Sequence, residues 1–197
     1  MYQAYQAHSD LLWPLRAFSR LSAPPLQDPG LGTATLSSAR MLAAACKLLE
    51  LSEVTHKRPP WRIDSIAVNG EPRWPVSEEV VASTPFATLL RFRREGAPDS
   101  PKVLVVAPMS GHFATLLRDT VRTLLQDHDV YVTDWHNVRD VPLSAGRFGL
   151  DEYTEHLIDF LAAIGPNANV VAVCQPCVAA LAAVALMSED QHPATPA

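Results

Sequence analysis

Three short runs of β-branched and apolar residues, each followed by a helical pattern, constrain the fold of this chain most. The runs are KVLVVA (102–107), DVYVTD (129–134) and NVVAVC (169–174). The helical patterns that follow them lie at 112–126, 151–164 and 178–187. Continuous apolar strands are typical of a sheet covered on both faces, and strand–helix alternation at this spacing indicates parallel crossovers. The sequence therefore predicts an α/β fold with a mostly parallel sheet and helices on both faces.

The first 55 residues have a different pattern, which predicts a helical N-terminal extension before a sheet domain at 56–197. Helices are expected at 5–22 and 37–51. The apolar residues of the first helix share one face, opposite Arg16 and Arg20; they are Leu11, Leu12, Leu15, Phe18 and Leu21. We expect this face to pack on its own domain, with docking on a lipid-like surface as the alternative. Alternation over 80–93 predicts one long strand at an edge of the sheet.

Composition excludes several classes of function. The net charge is −5, so no basic surface indicates a nucleic-acid partner. No apolar run approaches the roughly 20 residues of a membrane span, and the N-terminus MYQAYQAHSD lacks the pattern of a secretory signal. Three cysteines do not form a disulfide framework, and Cys46 is too isolated to complete a metal site. We expect a reduced, cytoplasmic protein without a metal or a cofactor.

The junction between the third strand and its helix carries the main candidate for chemistry. It reads Gln175-Pro176-Cys177-Val178-Ala179-Ala180 and leads into a helix made almost wholly of Ala, Val and Leu. A nucleophile elbow has this context, because a sharp turn lifts one side chain above the sheet and small neighbours let strand and helix close up. Backbone N–H groups at the start of a helix favour a thiolate, which is the reactive form of cysteine. We therefore predict Cys177 as a nucleophile.

Two other interpretations of this junction stay open. Cys174 and Cys177 form C-x-x-C between a strand and a helix, as in redox proteins of the thioredoxin type. That motif normally lies near the start of its fold, however, whereas here only some twenty residues follow. The two cysteines could also be small buried apolar residues.

The loop after the first parallel strand is the expected partner of this junction. It reads Pro108-Met109-Ser110-Gly111-His112. In α/β-hydrolases this loop gives one oxyanion-hole N–H group, and the residue after the nucleophile gives the other. We therefore expect an oxyanion hole from Val178 with Met109 or Ser110; a helix cap by Ser110 is the alternative.

Two histidines complete the predicted site. His112 and His136 follow strands at the same edge of the sheet and are predicted to contact substrate. In α/β-hydrolases the catalytic acid and histidine follow the nucleophile in the chain. The acidic and histidine residues that follow Cys177 lie within 15 positions of it, so we expect the catalytic Asp and His beyond residue 197. The strand at 169–174 is accordingly expected at or near a sheet edge.

The blocks SGHFATLLR, TDWHN and CQPC, together with the LLWPLRAF helix and the RPPW segment, resemble the intracellular polyhydroxyalkanoate (polyhydroxybutyrate) depolymerases. The resemblance covers essentially the whole chain and implies the N-terminal half of an α/β-hydrolase. It implies Cys177 as nucleophile of a Cys–His–Asp triad that cleaves 3-hydroxyacyl esters of stored polymer. It also implies the polymer granule as partner and water or coenzyme A as acyl acceptor. A related polyester synthase or acyltransferase is an alternative, and a granule-binding module that is inactive in this form is another.

Overall fold

A computed structural model describes residues 2–27, 37–51, 58–67, 73–109 and 113–196. The chain divides into two compact units, Met1–His56 and Lys57–Ala197. The helices are α1 (Tyr2–Gln27), α2 (Ser37–Leu51), α3 (Arg118–Leu124), α4 (Leu150–Ile164) and α5 (Cys177–Glu189), with short 3₁₀ turns at Ala114–Leu117 and Leu143–Ala145. The strands are β1 (Ser65–Ile66), β2 (Trp74–Ser83), β3 (Ala87–Arg94), β4 (Lys102–Val106), β5 (Asp129–Trp135) and β6 (Ala168–Ala172). None of the helices in the described part of the chain is both long and apolar enough to cross a bilayer.

The first unit packs α1 against α2 through small and polar residues. On α2 the buried residues are Ala39, Ala43 and Cys46. On α1 they are Arg16 and Ser19. The Arg16 guanidinium donates to the Ser9 carbonyl and hydroxyl oxygens at 3.3 Å. Most residues of the predicted apolar face, namely Leu11, Leu15, Phe18 and Leu21, are at least half exposed, so α2 does not cover this face. Packing of this face on the rest of the chain stays a prediction. A single partner helix covers only one face of α1.

The second unit contains a six-stranded mixed sheet in the order β1-β2-β3-β5-β4-β6. The pairs β1–β2, β2–β3 and β3–β5 are antiparallel, whereas β4–β5 and β4–β6 are parallel. The α/β class is confirmed, but the prediction of a mostly parallel sheet was wrong. Parallel pairing needs a long crossover, and only the segments after β4 and β5 contain the helices that provide one.

The predicted long strand at 80–93 is two strands joined by a tight turn. The Thr84 hydroxyl accepts hydrogen bonds from the amides of Phe86 and Ala87, at 3.2 and 3.0 Å. The Thr84 amide donates to the Ala87 carbonyl at 2.8 Å. Pro85 has no N–H group to give to a strand ladder, so the chain reverses here and β2 pairs with β3. The Asn69-Gly70 turn lies outside the described residues.

The parallel part of the sheet holds the core. β4 and β5 are buried almost throughout, as expected of strands covered on both faces. β6 alternates between covered and exposed residues and ends the strand order, so its predicted position at a sheet edge is confirmed.

The segment before β1 is held against α3 by arginine side chains. Arg118 donates to the Trp61 carbonyl at 2.6 Å and to the Pro60 carbonyl at 2.9 Å. Arg122 donates to the Arg62 carbonyl at 2.9 Å. The Trp61 ring is fully buried and meets the Phe92 ring of β3 edge-on at 5.0 Å. The RPPW segment therefore closes one side of the core.

Candidate functional site

Both candidate cysteines lie where β6 leads into α5, at the carboxyl end of the parallel strands, with Cys174 in the turn and Cys177 at the start of the helix. β6 ends at Ala172, and the Val173 amide still donates to the Val106 carbonyl at 3.3 Å. The chain then turns, and the Cys177 amide donates to the Cys174 carbonyl at 3.3 Å. Pro176 occupies the N-cap position of α5, which begins at Cys177. The strand-to-helix turn predicted from the sequence is therefore present.

The strained position of this turn is Cys174, not Cys177. Cys174 has a φ of +68°, in the left-handed region that residues with a Cβ rarely adopt. Its side chain is exposed, whereas the sequence analysis treated it as the last residue of a buried strand. The strand ends two residues earlier than predicted, which frees Cys174 from the ladder. The sharp turn that presents a nucleophile in an elbow therefore falls on Cys174.

Cys177 occupies the first position of α5 and is also exposed. Its thiol donates to the Ala172 carbonyl at 3.3 Å. That contact points the sulfur back towards the end of β6, and it must break before the sulfur attacks a carbonyl carbon. The interpretation of the two cysteines as buried apolar residues is wrong for both.

The predicted oxyanion loop starts from a firmly held residue. The Ala107 amide donates to the Thr133 hydroxyl at 2.9 Å, and the Ala107 carbonyl accepts from the Trp135 indole at 2.9 Å. Met109 is half-buried. Val178 lies in the first turn of α5, where amides have no partner within the helix. Ser110 and His112, also predicted here, lie outside the described residues.

His136 follows β5 and is bound to the β2–β3 turn. Its Nε2 atom lies 2.8 Å from the Thr88 hydroxyl, and its Nδ1 atom lies 3.0 Å from the Pro85 carbonyl. The neighbours of β5 are β3 and β4, so His136 is two strands away from β6. Contact between His136 and a substrate stays a prediction.

Tyr153 of α4 is a site residue that the sequence analysis missed. It is buried, its ring packs edge-on against Trp135 at 4.6 Å, and its hydroxyl has no partner among the described residues. Burial raises the pKa of the Tyr153 phenol, and the electrostatic effect of Cys177 raises it further. A buried hydroxyl without a partner next to the cysteine turn is a donor available to a bound molecule. The sequence signal was weak, because Tyr153 lies on the apolar face of a helix and has the pattern of a core residue.

Asp134 is a second buried polar group at this end of the sheet. Its Oδ2 atom lies 3.0 Å from the Arg58 guanidinium, and its Oδ1 atom is buried without a partner among the described residues. Burial raises the pKa of the Asp134 carboxyl, and the nearby Arg58 and His136 side chains oppose that rise. The sequence analysis did not single out Asp134 within the TDWHN block.

Within the described residues no group of three or more His, Cys, Asp or Glu side chains is placed to hold a metal ion. No protein-family model matches the chain, and no curated protein matches its sequence.

Proposed function

We propose that this chain belongs to an α/β-hydrolase-type enzyme that cleaves the ester bonds of stored polyhydroxyalkanoate with a cysteine nucleophile. The observation that carries the proposal is a strained, exposed cysteine between a parallel strand and a helix, beside the end of β4. The polyester substrate rests on the sequence resemblance to intracellular depolymerases. Neither observation depends on a metal or a cofactor.

We assign the attacking sulfur to Cys174 rather than to Cys177, which the sequence favoured. Cys174 has the positive φ of the sharp turn, whereas the Cys177 thiol is bound to the Ala172 carbonyl. With Cys174 as nucleophile, the amide of Gln175 takes the place proposed for Val178 in the oxyanion hole. The loop at Met109 stays the source of the second donor.

The reaction then follows the usual course of acyl transfer. The Cys174 sulfur bonds to the ester carbonyl carbon, the carbon–oxygen bond to the alcohol breaks, and the thiol proton leaves with the alcohol. Water, or coenzyme A as acceptor, attacks the resulting thioester and restores the thiol. The N–H donors stabilise the negative oxygen of each tetrahedral intermediate, and each such donor contributes about 3–4 kcal/mol.

Acylation by an activated ester tests this proposal directly. p-Nitrophenyl 3-hydroxybutyrate has a good leaving group, so the first step does not depend on a general base. We expect a 3-hydroxybutyryl adduct on Cys174, located by peptide mapping, that is lost in Cys174→Ala and kept in Cys177→Ala. An adduct on Cys177 alone would restore the sequence-based assignment. A chain without any adduct would contradict the enzyme proposal.

The redox alternative has a separate readout. If the two cysteines are a redox pair, Cys174 and Cys177 form a disulfide in a glutathione buffer. Cys174→Ala and Cys177→Ala should then lose redox activity to the same extent. A reduced, acylated Cys174 under the same buffer would exclude it.

A second candidate function, a module that binds the polymer granule, is favoured by the exposed apolar side chains of α1. Leu11, Trp13, Leu15, Phe18 and Leu21 are all at least half exposed. A surface of this kind on a folded protein marks a site of interaction.

Sedimentation with amorphous polyhydroxybutyrate particles measures this second function. We expect Leu15→Glu with Phe18→Glu to reduce the bound fraction, while acylation of Cys174 is unchanged. Arg40→Glu on α2 is the matched control for added negative charge. Equal binding by all three proteins would exclude α1 as the docking surface.

A further inference from the structure

A cavity of about 620 Å³ lies at the amino ends of the parallel strands, whereas the cysteine turn lies at their carboxyl ends. Lys102 and Asp129, the first residues of β4 and β5, face each other in the parallel register. β3 runs antiparallel to β5, so the last residues of β3 lie beside the first residues of β5, at the same end of the sheet. Because β5 lies between β3 and β4, the connection from β3 to β4 crosses the start of β5, and residues 96–100 wall the cavity. The volume is that of a small-molecule site.

Four basic side chains border this cavity, although the whole chain has a net charge of −5. They are Arg91, Arg93, Arg94 and Lys102, and the carboxylates that border the cavity are Asp99 and Asp129. The side chains that border the cavity therefore have a net charge of +2, opposite in sign to the net charge of the whole chain.

Carboxylates bind two of these cations. Arg91 donates to both carboxylate oxygens of Asp129, at 3.0 and 2.9 Å, and lies over the Tyr131 ring. Arg93 contacts Glu79 at 3.4 Å. The Arg91–Asp129 pair gives the cavity a fixed wall, because a bidentate arginine–carboxylate contact restricts both partners.

The other two cations are held by neutral oxygens. Arg94 donates to the Gln126 carbonyl at 3.1 Å and to the Ser100 hydroxyl. Lys102 donates to the Ile164 carbonyl at 2.8 Å. Among the described residues, no carboxylate forms an ion pair with either side chain. A guanidinium has five N–H donors and an ammonium three, so each keeps donors and a full charge for a further partner.

We propose that this cavity binds a small molecule that carries a phosphate group. Arg94 and Lys102 hold the phosphate, since a guanidinium fork matches phosphate oxygens and a lysine adds a point charge. The wall of residues 96–100 and the Tyr131 side of the cavity accommodate the rest of the molecule. The site is separate from the proposed acyl-transfer site, because β4 alone separates the two ends by roughly 13 Å or more.

Binding is measured by isothermal titration of the chain with inorganic phosphate, pyrophosphate and ADP. Free phosphate as the natural ligand predicts equal saturable binding of all three probes, whereas a phosphorylated metabolite predicts tighter binding of ADP. We expect the second result.

Charge variants locate the binding. Arg94→Gln and Lys102→Gln should each weaken binding about tenfold or more, since each removes a charge-assisted hydrogen bond. Arg139→Gln, an exposed arginine after β5, is the control for lost charge and should bind as the unaltered chain does. Asp99→Asn keeps every hydrogen bond described above and removes a negative charge from the wall, so it should tighten binding several-fold.

The Asp99→Asn variant keeps the proposal falsifiable if Arg94→Gln or Lys102→Gln fails to fold. No saturable binding of any probe to the unaltered chain overturns the proposal. So does binding that Asp99→Asn leaves unchanged, or that Arg139→Gln weakens as much as Lys102→Gln does. Acylation of Cys174 in the same samples reports on the other site, so failure of one proposal does not imply failure of the other.

Discussion

The two units of this chain differ in how far their large apolar side chains are exposed. In the sheet unit, Phe92 and Leu104 are completely buried. In the helical unit, Phe18 and Leu15 of α1 are at least half exposed, while Arg16 of the same helix is buried. A pair of helices has only one mutual face, whereas a covered sheet has two, so apolar periodicity alone does not determine which residues are buried. The following substitutions test this difference, beginning with the largest expected effect.

Phe92→Ala in the sheet unit should lower the free energy of unfolding by about 3–5 kcal/mol. Its ring is fully buried against Trp61, and truncation leaves a cavity in the centre of β3. Urea unfolding followed by tryptophan fluorescence measures the change. A loss below about 1 kcal/mol would mean that the site collapses around the smaller residue, and the contrast between the units would weaken.

The elements of the parallel part could be predicted because their residue types leave little choice. The runs at 102–106 and 129–135 have apolar or aromatic residues on both faces of the strand, so each needs cover on both sides. The break at Thr84-Pro85 was missed because alternation continues across it, and only the missing N–H group of Pro85 marks the turn. The chain reverses at that break, so the antiparallel pairing of β2 with β3 was missed as well.

The candidate site was harder to predict than the fold. Its place between β6 and α5 follows from the strand–helix pattern, but the residue that takes the strain does not. A positive φ is expected at glycine, and here Cys174 adopts it. Tyr153 was missed because a buried hydroxyl without a partner is a property of the packed structure. The local sequence pattern therefore predicts where the turn lies. The strain at Cys174 and the unpartnered hydroxyl of Tyr153 depend on contacts that form only in the folded structure.

Arg118→Ala should lower the free energy of unfolding by about 2–3 kcal/mol. It removes two charge-assisted hydrogen bonds, to the carbonyls of Pro60 and Trp61, and frees the segment that closes the core. Arg122→Ala is the matched control, because it removes one exposed bond to the Arg62 carbonyl and should have a smaller effect. Equal losses would show that the segment is held by the Trp61 ring alone.

Asp134→Asn should change the pH dependence of stability. Burial raises the pKa of the Asp134 carboxyl in the folded chain above its value in the unfolded chain. Its contribution to stability is therefore fully present below about pH 4 and is lost as the pH rises through the folded-state pKa. The difference in unfolding free energy between the two proteins, measured from pH 3 upward in steps of about one unit, should show this decline. A difference that grows in the opposite direction would mean that Arg58 outweighs burial.

Tyr153→Phe should change stability by less than about 1 kcal/mol, because the hydroxyl that it removes has no partner in the described structure. Acylation of Cys174 should nevertheless slow several-fold if the phenol donates to the bound ester. Tyr131→Phe is the control, since its hydroxyl donates to Asp129 at 3.3 Å, away from the cysteine turn. Slower acylation in Tyr131→Phe as well would point to a general loss of structure.

Phe18→Ala is the same substitution as Phe92→Ala in the other unit, and it should have the smallest effect. The Phe18 side chain is 65% exposed, and truncation of an exposed residue usually changes the free energy of unfolding by less than about 0.5 kcal/mol. Urea unfolding at two protein concentrations measures both the change and its origin. A concentration-independent loss near that of Phe92→Ala would show that another part of the chain covers α1 in solution. A loss that appears only at the higher concentration would show that a second copy covers it. Either result would mean that both units bury their large apolar residues. The two units would then differ only in what covers those residues.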